Sequence, residues 1–354
     1  MEPIHRYSFI PKFPKAHESA SKKLAKYSHI ALSIFIALFF GIGFTEGMVS
    51  LGGKTIAYIK KVDVDSVVEK SAIGFDRATS TEAKGSDDKA EIFPITEYTV
   101  VGKPQYINAG SYLIGDVDTG EIILQKDINT IYPIASVSKL MTALVTEDAI
   151  APKTIAKVSK KALATYGPSG GLFQGEEVRV GDLLYPLLLE SSNDVAELLS
   201  EQLGEGEFAA KMNEKAESIG MKNTSYEEAS GLSKNNVSNS YDLFQLAQYI
   251  YKEAPHLLDT TRIKQFSLLK HTWTNHNYFL QYDTFVGGKN GYTDEARRTT
   301  VSIFELPIKR GLGTAGASVE KRPIAIILLQ TDTREQDVAR LLTFIKNSVG
   351  LSVR

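Results

Sequence analysis

Hydrophobic and polar positions divide this 354-residue chain into stretches of different character. Ile30 to Phe44 (IALSIFIALFFGIGF) is an almost unbroken apolar run, and carried on to Leu51 it reaches the roughly 20 residues a membrane-spanning helix needs. Residues 54–103 then mix charged and small side chains and keep no helix or strand period. Such a segment buries too little apolar surface to offset its ordering entropy, so it predicts a linker, with room for a short strand near Glu97 to Val101.

From Ala109 the pattern becomes that of a folded domain. Two apolar runs joined by Asp118-Thr119-Gly120 predict a β-hairpin. Val137 to Ile150 is nearly all apolar, a helix that a globular domain can place only at its centre. A helical run from Asp182 stops at Ser191-Ser192-Asn193, and a second helix follows with Asp194 as its expected cap and Gly204 as its end. Helices are also predicted at Glu207 to Ile219 and from a Ser240 cap to Glu253. Three strand-like runs come next: Tyr282 to Lys289, Thr299 to Leu306 and Pro323 to Gln330. The last helix, Thr333 to Val349, opens on an expected Thr333-x-x-Gln336 capping box and lines Val338, Leu341, Leu342 and Ile345 along one face. Strands at both ends of a helical block predict an α+β layered domain whose single sheet is assembled from distant segments.

Charge adds orientation. Arg6, Lys12, Lys15, Lys22, Lys23 and Lys26 all precede the apolar run, which puts its basic side in the cytoplasm. That basic region is long and no clear Ala-x-Ala site follows, so an uncleaved signal anchor is expected in preference to a cleaved signal peptide. The expected organisation is a cytoplasmic basic tail (1–27), a transmembrane signal anchor (28–51), an extracytoplasmic linker (52–103) and a folded domain (104–354) on the outer side of a bacterial cytoplasmic membrane. A formal net charge of -2 gives no bulk basic field and argues against a nucleic-acid partner. The absence of cysteine excludes thiol catalysis and disulfides. Six histidines (His5, His17, His29, His256, His271, His276) show no zinc-ligand spacing, so neither a metal nor another cofactor is expected. His276, between Asn275 and Asn277, reads as structural.

The candidate chemistry lies in three short motifs: Ser136-Val-Ser-Lys139, Ser191-Ser-Asn193 and Lys289-Asn-Gly291. Serine and lysine three apart on a helix share a face, so the amine reaches the hydroxyl. Burial disfavours the ammonium, and a neutral lysine can accept the serine proton. Ser-x-x-Lys alone says little, because it occurs five times, from Ser19, Ser86, Ser136, Ser267 and Ser318. Only Ser136 opens a helix of buried type. Ser191 and Asn193 offer a hydroxyl and an amide that can relay a proton and hold a substrate backbone, although Ser and Asn at a helix junction are commonly caps. Lys289 supplies a cation beside a strand, and Gly291 permits close approach of an extended peptide; a surface Asn-Gly turn is the plain alternative.

In this order, on a helix start, an interhelical loop and a strand, the motifs correspond to the Ser-x-x-Lys, Ser-Asp-Asn and Lys-Thr-Gly set of penicillin-binding proteins and class A β-lactamases. The chain resembles the serine-type D-alanyl-D-alanine carboxypeptidases, the low-molecular-mass penicillin-binding proteins. The likeness also runs over IASVSKLMTALV, GLFQGEEVRVGDLLYPLLLESSNDVAELL, MNEKAESIGMKNTSY, ASGL and GGKNGYTDEA, about residues 105 to 349. It implies a β-lactamase/transpeptidase-like fold, with an antiparallel sheet flanked by helices and a helical subdomain. It implies hydrolysis of the terminal D-Ala-D-Ala bond of peptidoglycan stem peptides through an acyl-serine, with β-lactams acylating the same group. Ser136 becomes the nucleophile, Lys139 its base, and Ser191 and Asn193 the second catalytic motif. Lys289, Asn290, Gly291 and Tyr292 become substrate-binding, with the N–H groups of Ser136 and Tyr292 forming the oxyanion hole. Asn290 stands where the family usually has threonine, and its amide is expected to donate to a carboxylate. Arg297 and Arg298, where small residues are commoner, are expected at the surface, with binding of the substrate's terminal carboxylate as the alternative. A D,D-endopeptidase, a β-lactamase and a catalytically weak wall-binding or β-lactam-sensing protein are the alternative readings. Nothing in the sequence sets the oligomeric state.

Overall fold

Ile324 to Leu329 is apolar at every position, the mark of a strand covered on both faces. In the computed structural model, which describes residues 97–312 and 317–352, this run lies at the centre of a seven-stranded sheet. Its strands are β1 (Tyr98–Val100), β2 (Ser111–Asp116), β3 (Ile122–Lys126), β4 (Phe285–Thr293), β5 (Arg297–Arg310), β6 (Val319–Thr331) and β7 (Val349–Leu351). The order is β1-β7-β5-β6-β2-β3, and β4 pairs with β5. Every pairing is antiparallel except β5 with β7. One edge of the long strand β5 is shared, with β4 along Arg297 to Phe304 and β7 beside Lys309 and Arg310. Strand β4 therefore leaves its outer edge unpaired among the described residues.

Alternation along β6 decides which layer covers each face. Ile324, Ile326 and Leu328 join Ile114 and Phe304 beneath the last helix, α7 (Arg334–Ser348), which contributes Val338, Leu341 and Ile345. Ala325, Ile327 and Leu329 join Leu113, Val301 and Ile303 against the helical block. That block comprises α1 (Lys139–Ala149), α2 (Val180–Leu189), α3 (Asn193–Glu201), α4 (Glu205–Ser218), α5 (Ser240–Glu253) and α6 (Pro255–Arg262). Helix α1 is buried from Lys139 through Thr146 and packs on α2 and α4, as its all-round apolar pattern demands. Where α5 crosses β2, a Cβ at Gly115 would lie 2.6 Å from the Phe244 ring, so only glycine lets helix and sheet meet there.

The antiparallel sheet with flanking helices agrees with expectation, while several local details differ. Ser192 is the cap residue of α3, and its hydroxyl shares the Val195 N–H with the Asp194 carboxylate, at 3.2 and 2.8 Å, while Asn239, not Ser240, caps α5 by accepting from Asp242 N–H. The expected capping box at Thr333 does not form, and the Thr333 hydroxyl is buried without a partner. Asp337 instead accepts from the Thr331 hydroxyl at 2.6 Å, and its own N–H reaches the Thr333 carbonyl at 2.8 Å. Tyr278–Gln281 forms a 3-10 turn, so β4 starts later than expected and Lys289 to Gly291 lies within the strand, not at its end. Strand β1 pairs with β7, so the sheet includes residues that the linker expectation, 52–103, had covered. Tyr98 secures it by donating to the buried Asp116 carboxylate at 2.5 Å, which also pairs with Arg322 at 2.7 Å. The expected tail and membrane segment, 1–27 and 28–51, lie outside the described residues. Among the described residues no helix is long and apolar enough to cross a membrane.

Candidate active site

The nucleophile candidate sits at a tight junction. Ala135 to Ser138 forms a 3-10 turn that runs into α1, with Ala135 in the left-handed region at φ 50°. Two glycines hold this turn. A Cβ at Gly231, whose φ is +84°, would lie 2.0 Å from the Ala135 carbonyl oxygen, and one at Gly291 would lie 2.9 Å from Ser136 N. Thr299 adds a hydrogen bond from its hydroxyl to the Ile134 carbonyl at 3.0 Å. The 229–232 loop and strand β4 thus clamp Ser136 from two sides, and strain of this sort persists only where the surroundings fix it.

Lys139 begins α1 one turn beyond Ser136 and is fully buried. Its Nζ lies 3.1 Å from Ser136 Oγ, 2.6 Å from Asn193 Oδ1 and 2.5 Å from the Ser230 carbonyl oxygen. Burial pulls its pKa down to about 7, against the opposing pull of the Glu228 and Asp194 carboxylates. A neutral amine has two N–H groups and one lone pair. Asn193 and Ser230 take the two N–H groups, which leaves the lone pair for the Ser136 proton.

The second motif reaches this amine from the α2–α3 junction. Ser191 adopts φ 61°, which ends α2 and turns its hydroxyl toward the third motif. Asn193 is oriented by its own amide N–H, donated to the Tyr166 carbonyl at 2.8 Å. Asp194, besides accepting from Val195 N–H at 2.8 Å, accepts from the Ser169 hydroxyl at 2.6 Å and Gly170 N–H at 2.9 Å, and so binds the 166–173 loop to the motif.

The third motif closes the site. Lys289, 5% exposed, donates to Ser191 Oγ at 2.8 Å and to the Asn290 carbonyl at 3.0 Å. Burial and the charges of Lys139 and Arg334 hold its pKa well below that of a free lysine. Asn290 is held on both sides of its amide: Thr300 donates to its Oδ1 at 2.7 Å and its Nδ2 donates to Asn277 Oδ1 at 3.0 Å. Its amide is committed to bracing β4, with a single N–H left over. Tyr292 lies at the exposed edge, its hydroxyl turned to Asp294 at 2.9 Å. Arg297 and Arg298 are exposed, as expected, and Arg297 pairs with Asp332 at 2.6 Å.

Three contributors were not identified from sequence. Glu228 accepts from Ser230 N–H at 2.5 Å, the Ser230 hydroxyl at 2.5 Å and Gly231 N–H at 2.7 Å, which fixes the carbonyl that Lys139 uses. Asn277 braces Asn290. Arg334, 9% exposed, donates to the Gly291 and Thr299 carbonyls at 3.2 and 3.4 Å behind the strand. Glu228 immediately precedes the ASGL segment and falls outside the stretches that carry the resemblance, and nothing in sequence marks Arg334.

This arrangement supplies a nucleophile with its base, a second hydroxyl joined to a cation, and an open strand edge, which together suit acyl transfer to serine. Residues 98–304 match the D-alanyl-D-alanine carboxypeptidase family. The chain is 36% identical over 148 residues to a D-alanyl-D-alanine endopeptidase of Pseudomonas aeruginosa, covering 40% of this chain and 47% of that protein. It is 30% identical over 238 residues to the D-alanyl-D-alanine carboxypeptidase DacF of Bacillus subtilis, covering 63% and 61%. The matches thus span about half to three fifths of these relatives' lengths. Among solved structures, penicillin-binding protein D2 of Listeria monocytogenes in its ampicillin-bound form aligns with a TM-score of 0.59 at 26% identity, covering 69% of this chain and 98% of that one. On the family match across more than half of its length, the chain belongs to the D-alanyl-D-alanine carboxypeptidase family.

Proposed function

We propose that the chain is a serine peptidase that removes the terminal D-alanine from peptidoglycan stem peptides, and that β-lactams acylate the same serine. The observation that carries this reading is the buried Lys139 amine, 3.1 Å from Ser136 Oγ with its other two directions already filled. As Ser136 Oγ bonds to the penultimate D-alanine carbonyl carbon, its proton passes to Lys139. The oxyanion forms against the N–H groups of Ser136 and Tyr292, donors whose individual loss costs on the order of 3 kcal/mol in acyl-transfer sites. The C–N bond then breaks, and the proton held by Lys139 passes by way of the Ser191 hydroxyl, which Lys289 orients at 2.8 Å, to the leaving amine, so that Lys139 is neutral again. Water attacks the ester carbonyl carbon as Lys139 accepts its proton, and the ester C–O bond breaks as Lys139 returns that proton to Ser136 Oγ. Lys289 and the Gly291 edge of β4 hold the substrate's terminal carboxylate and extended backbone. Labelled penicillin followed by peptide mapping tests the assignment: the label is expected on Ser136, and a Ser136→Ala chain that still takes it up would overturn it.

Cleavage of cross-links between stems is the second reading, favoured by the name of the Pseudomonas relative. D-alanine release from a stem pentapeptide, measured beside cleavage of cross-linked dimers, separates the two. The apolar run and its basic flank support residues 28–51 as a signal anchor that holds residues 104–354 outside the cytoplasmic membrane, with 52–103 as a spacer. An intact mass matching the full chain and retention in alkali-washed membranes are expected; a soluble, shortened protein would refute the anchor.

A further inference from the structure

Alternation along β4 fixes which of its N–H groups face the cleft. Successive N–H groups point to opposite edges of a strand, so Tyr292 N–H, which meets the oxyanion in the proposed mechanism, shares the outer edge with those of Asn290 and Gly288. Gly288 N–H is already taken by the Thr261 hydroxyl of α6 at 2.9 Å. A Cβ at Gly287 would lie 2.8 Å from the Leu258 carbonyl oxygen, so helix and strand meet closely there. The open edge thus runs from Tyr292 to Gly288, about 13 Å at the usual rise of a strand, and α6 closes it.

The proposed chemistry gives that edge a direction. The carbonyl under attack lies at Tyr292, and Lys289 holds the carboxylate of the departing residue, so anything further on the leaving group points toward α6. A single D-alanine carries nothing further. In a cross-linked substrate the departing nitrogen belongs to the side chain of a diamino acid in a second stem, and that stem keeps its own terminal carboxylate. A diamino side chain and one more residue put this carboxylate about 10 Å from the broken bond, near the end of α6.

A cavity of about 230 Å³ lies at that end. Arg262, the last residue of α6, and Lys264 line it together with Tyr282, Asp283 and Phe285, the first residue of β4. Both cations are exposed, and neither side chain has a hydrogen bond or ion pair among the described residues. Asp283 lines the same cavity without pairing either of them. Arg262 by itself would be a complement to the C-terminal dipole of α6, but Lys264 stands beyond the helix. Two cations against one carboxylate leave one positive charge in excess, which suits a single carboxylate better than a multiply charged phosphate.

We propose that this cavity receives the terminal carboxylate of the second, departing stem of a cross-linked substrate, held by Arg262 and Lys264. The inference rests on the cross-link-cleaving reading above and adds a site for its leaving strand.

Calorimetry of the full-length Ser136→Ala chain compares a cross-linked dimer with the same dimer amidated only at the departing stem's terminal carboxylate. Turnover of both dimers and of a stem pentapeptide is followed with the otherwise unmodified chain. The acid dimer is expected to bind about fivefold more tightly than the amide, the scale of exposed ion pairs. With Arg262→Ala and Lys264→Ala combined, that ratio should fall to about one, while D-alanine release from the pentapeptide keeps its kcat/KM. The charge-keeping pair Arg262→Lys with Lys264→Arg should retain the ratio. Equal affinities for acid and amide, a ratio that the alanine pair leaves intact, or an equal loss of pentapeptide turnover would overturn the site. Pentapeptide turnover without dimer cleavage would overturn it too, because no second stem would then depart. The affinity ratio with neither substrate cleaved would refute the peptidase reading alone, so the two failures are distinguishable.

Discussion

At the scale of single residues, the proposed mechanism turns on the protonation of Lys139. Its pKa is drawn down to about 7 by burial, so the acylation rate should climb as pH rises through about 7 and then level off. Penicillin acylation measured against pH checks this, and a flat profile from pH 5 to 9 would contradict it. The sign for stability is the same. Between about 7 and the ordinary lysine value the unfolded chain binds more protons than the folded one, so this group's contribution to stability improves with rising pH across that interval. Glu228 opposes the downward pull, and Glu228→Gln should move the rising limb of the acylation profile to lower pH. A limb that stays in place while the rate falls would reduce Glu228 to a loop anchor. Ser136, Lys139, Ser191, Asn193 and Lys289 were legible in sequence because side-chain chemistry fixes their identity. Glu228 and Arg334 were not, because each acts largely on backbone N–H or carbonyl groups that any sequence would present.

At the scale of elements, sequence periodicity located the buried helix α1 and the central strand β6, because burial on all sides leaves an uninterrupted apolar pattern. Helix caps were less legible. Asn239 and Ser240 are adjacent residues of capping type, and a tertiary partner chooses between them: Ser111 binds Ser240 at 2.6 Å and leaves Asn239 as the cap. A short strand near Glu97 to Val101 was legible, but its place in the sheet was not, since its three residues are held by β7 at the far end of the chain. Tyr98→Phe removes a donor from the buried Asp116 and should cost about 1 to 2 kcal/mol in denaturant unfolding while leaving penicillin acylation unchanged. An unaltered unfolding midpoint would deny β1 that anchoring role. Gly231→Ala should behave differently, because its Cβ would collide with the Ala135 carbonyl at 2.0 Å and the turn carrying Ser136 would have to shift. Acylation should then fall about 100-fold or more, as a misplaced nucleophile implies, whereas near-normal acylation would show the clamp to be dispensable.

At the scale of the whole molecule, the site lies on the seam between sheet and helical block, and its charge arises from their assembly. The chain carries a formal net charge of -2, yet Lys139 comes from a helix, Lys289 from a strand and Arg334 from the start of α7, all buried around one cleft. Separate segments of sequence show none of this crowding. Burial, with the charges of Lys139 and Arg334, depresses the Lys289 pKa. An arriving carboxylate restores a partner for the ammonium and must raise that pKa again. Binding of a ligand with a terminal carboxylate should therefore draw protons from solution, with uptake increasing toward alkaline pH as more of Lys289 is neutral before binding. Calorimetry of the Ser136→Ala chain in buffers of different ionisation enthalpy reads this uptake directly. The carboxamide analogue should bind with far less proton uptake and an affinity lower by about tenfold or more, the loss expected for a charge-assisted contact. Equal uptake by acid and amide would mean that Lys289 does not meet the carboxylate, and the cation would then serve only to orient Ser191.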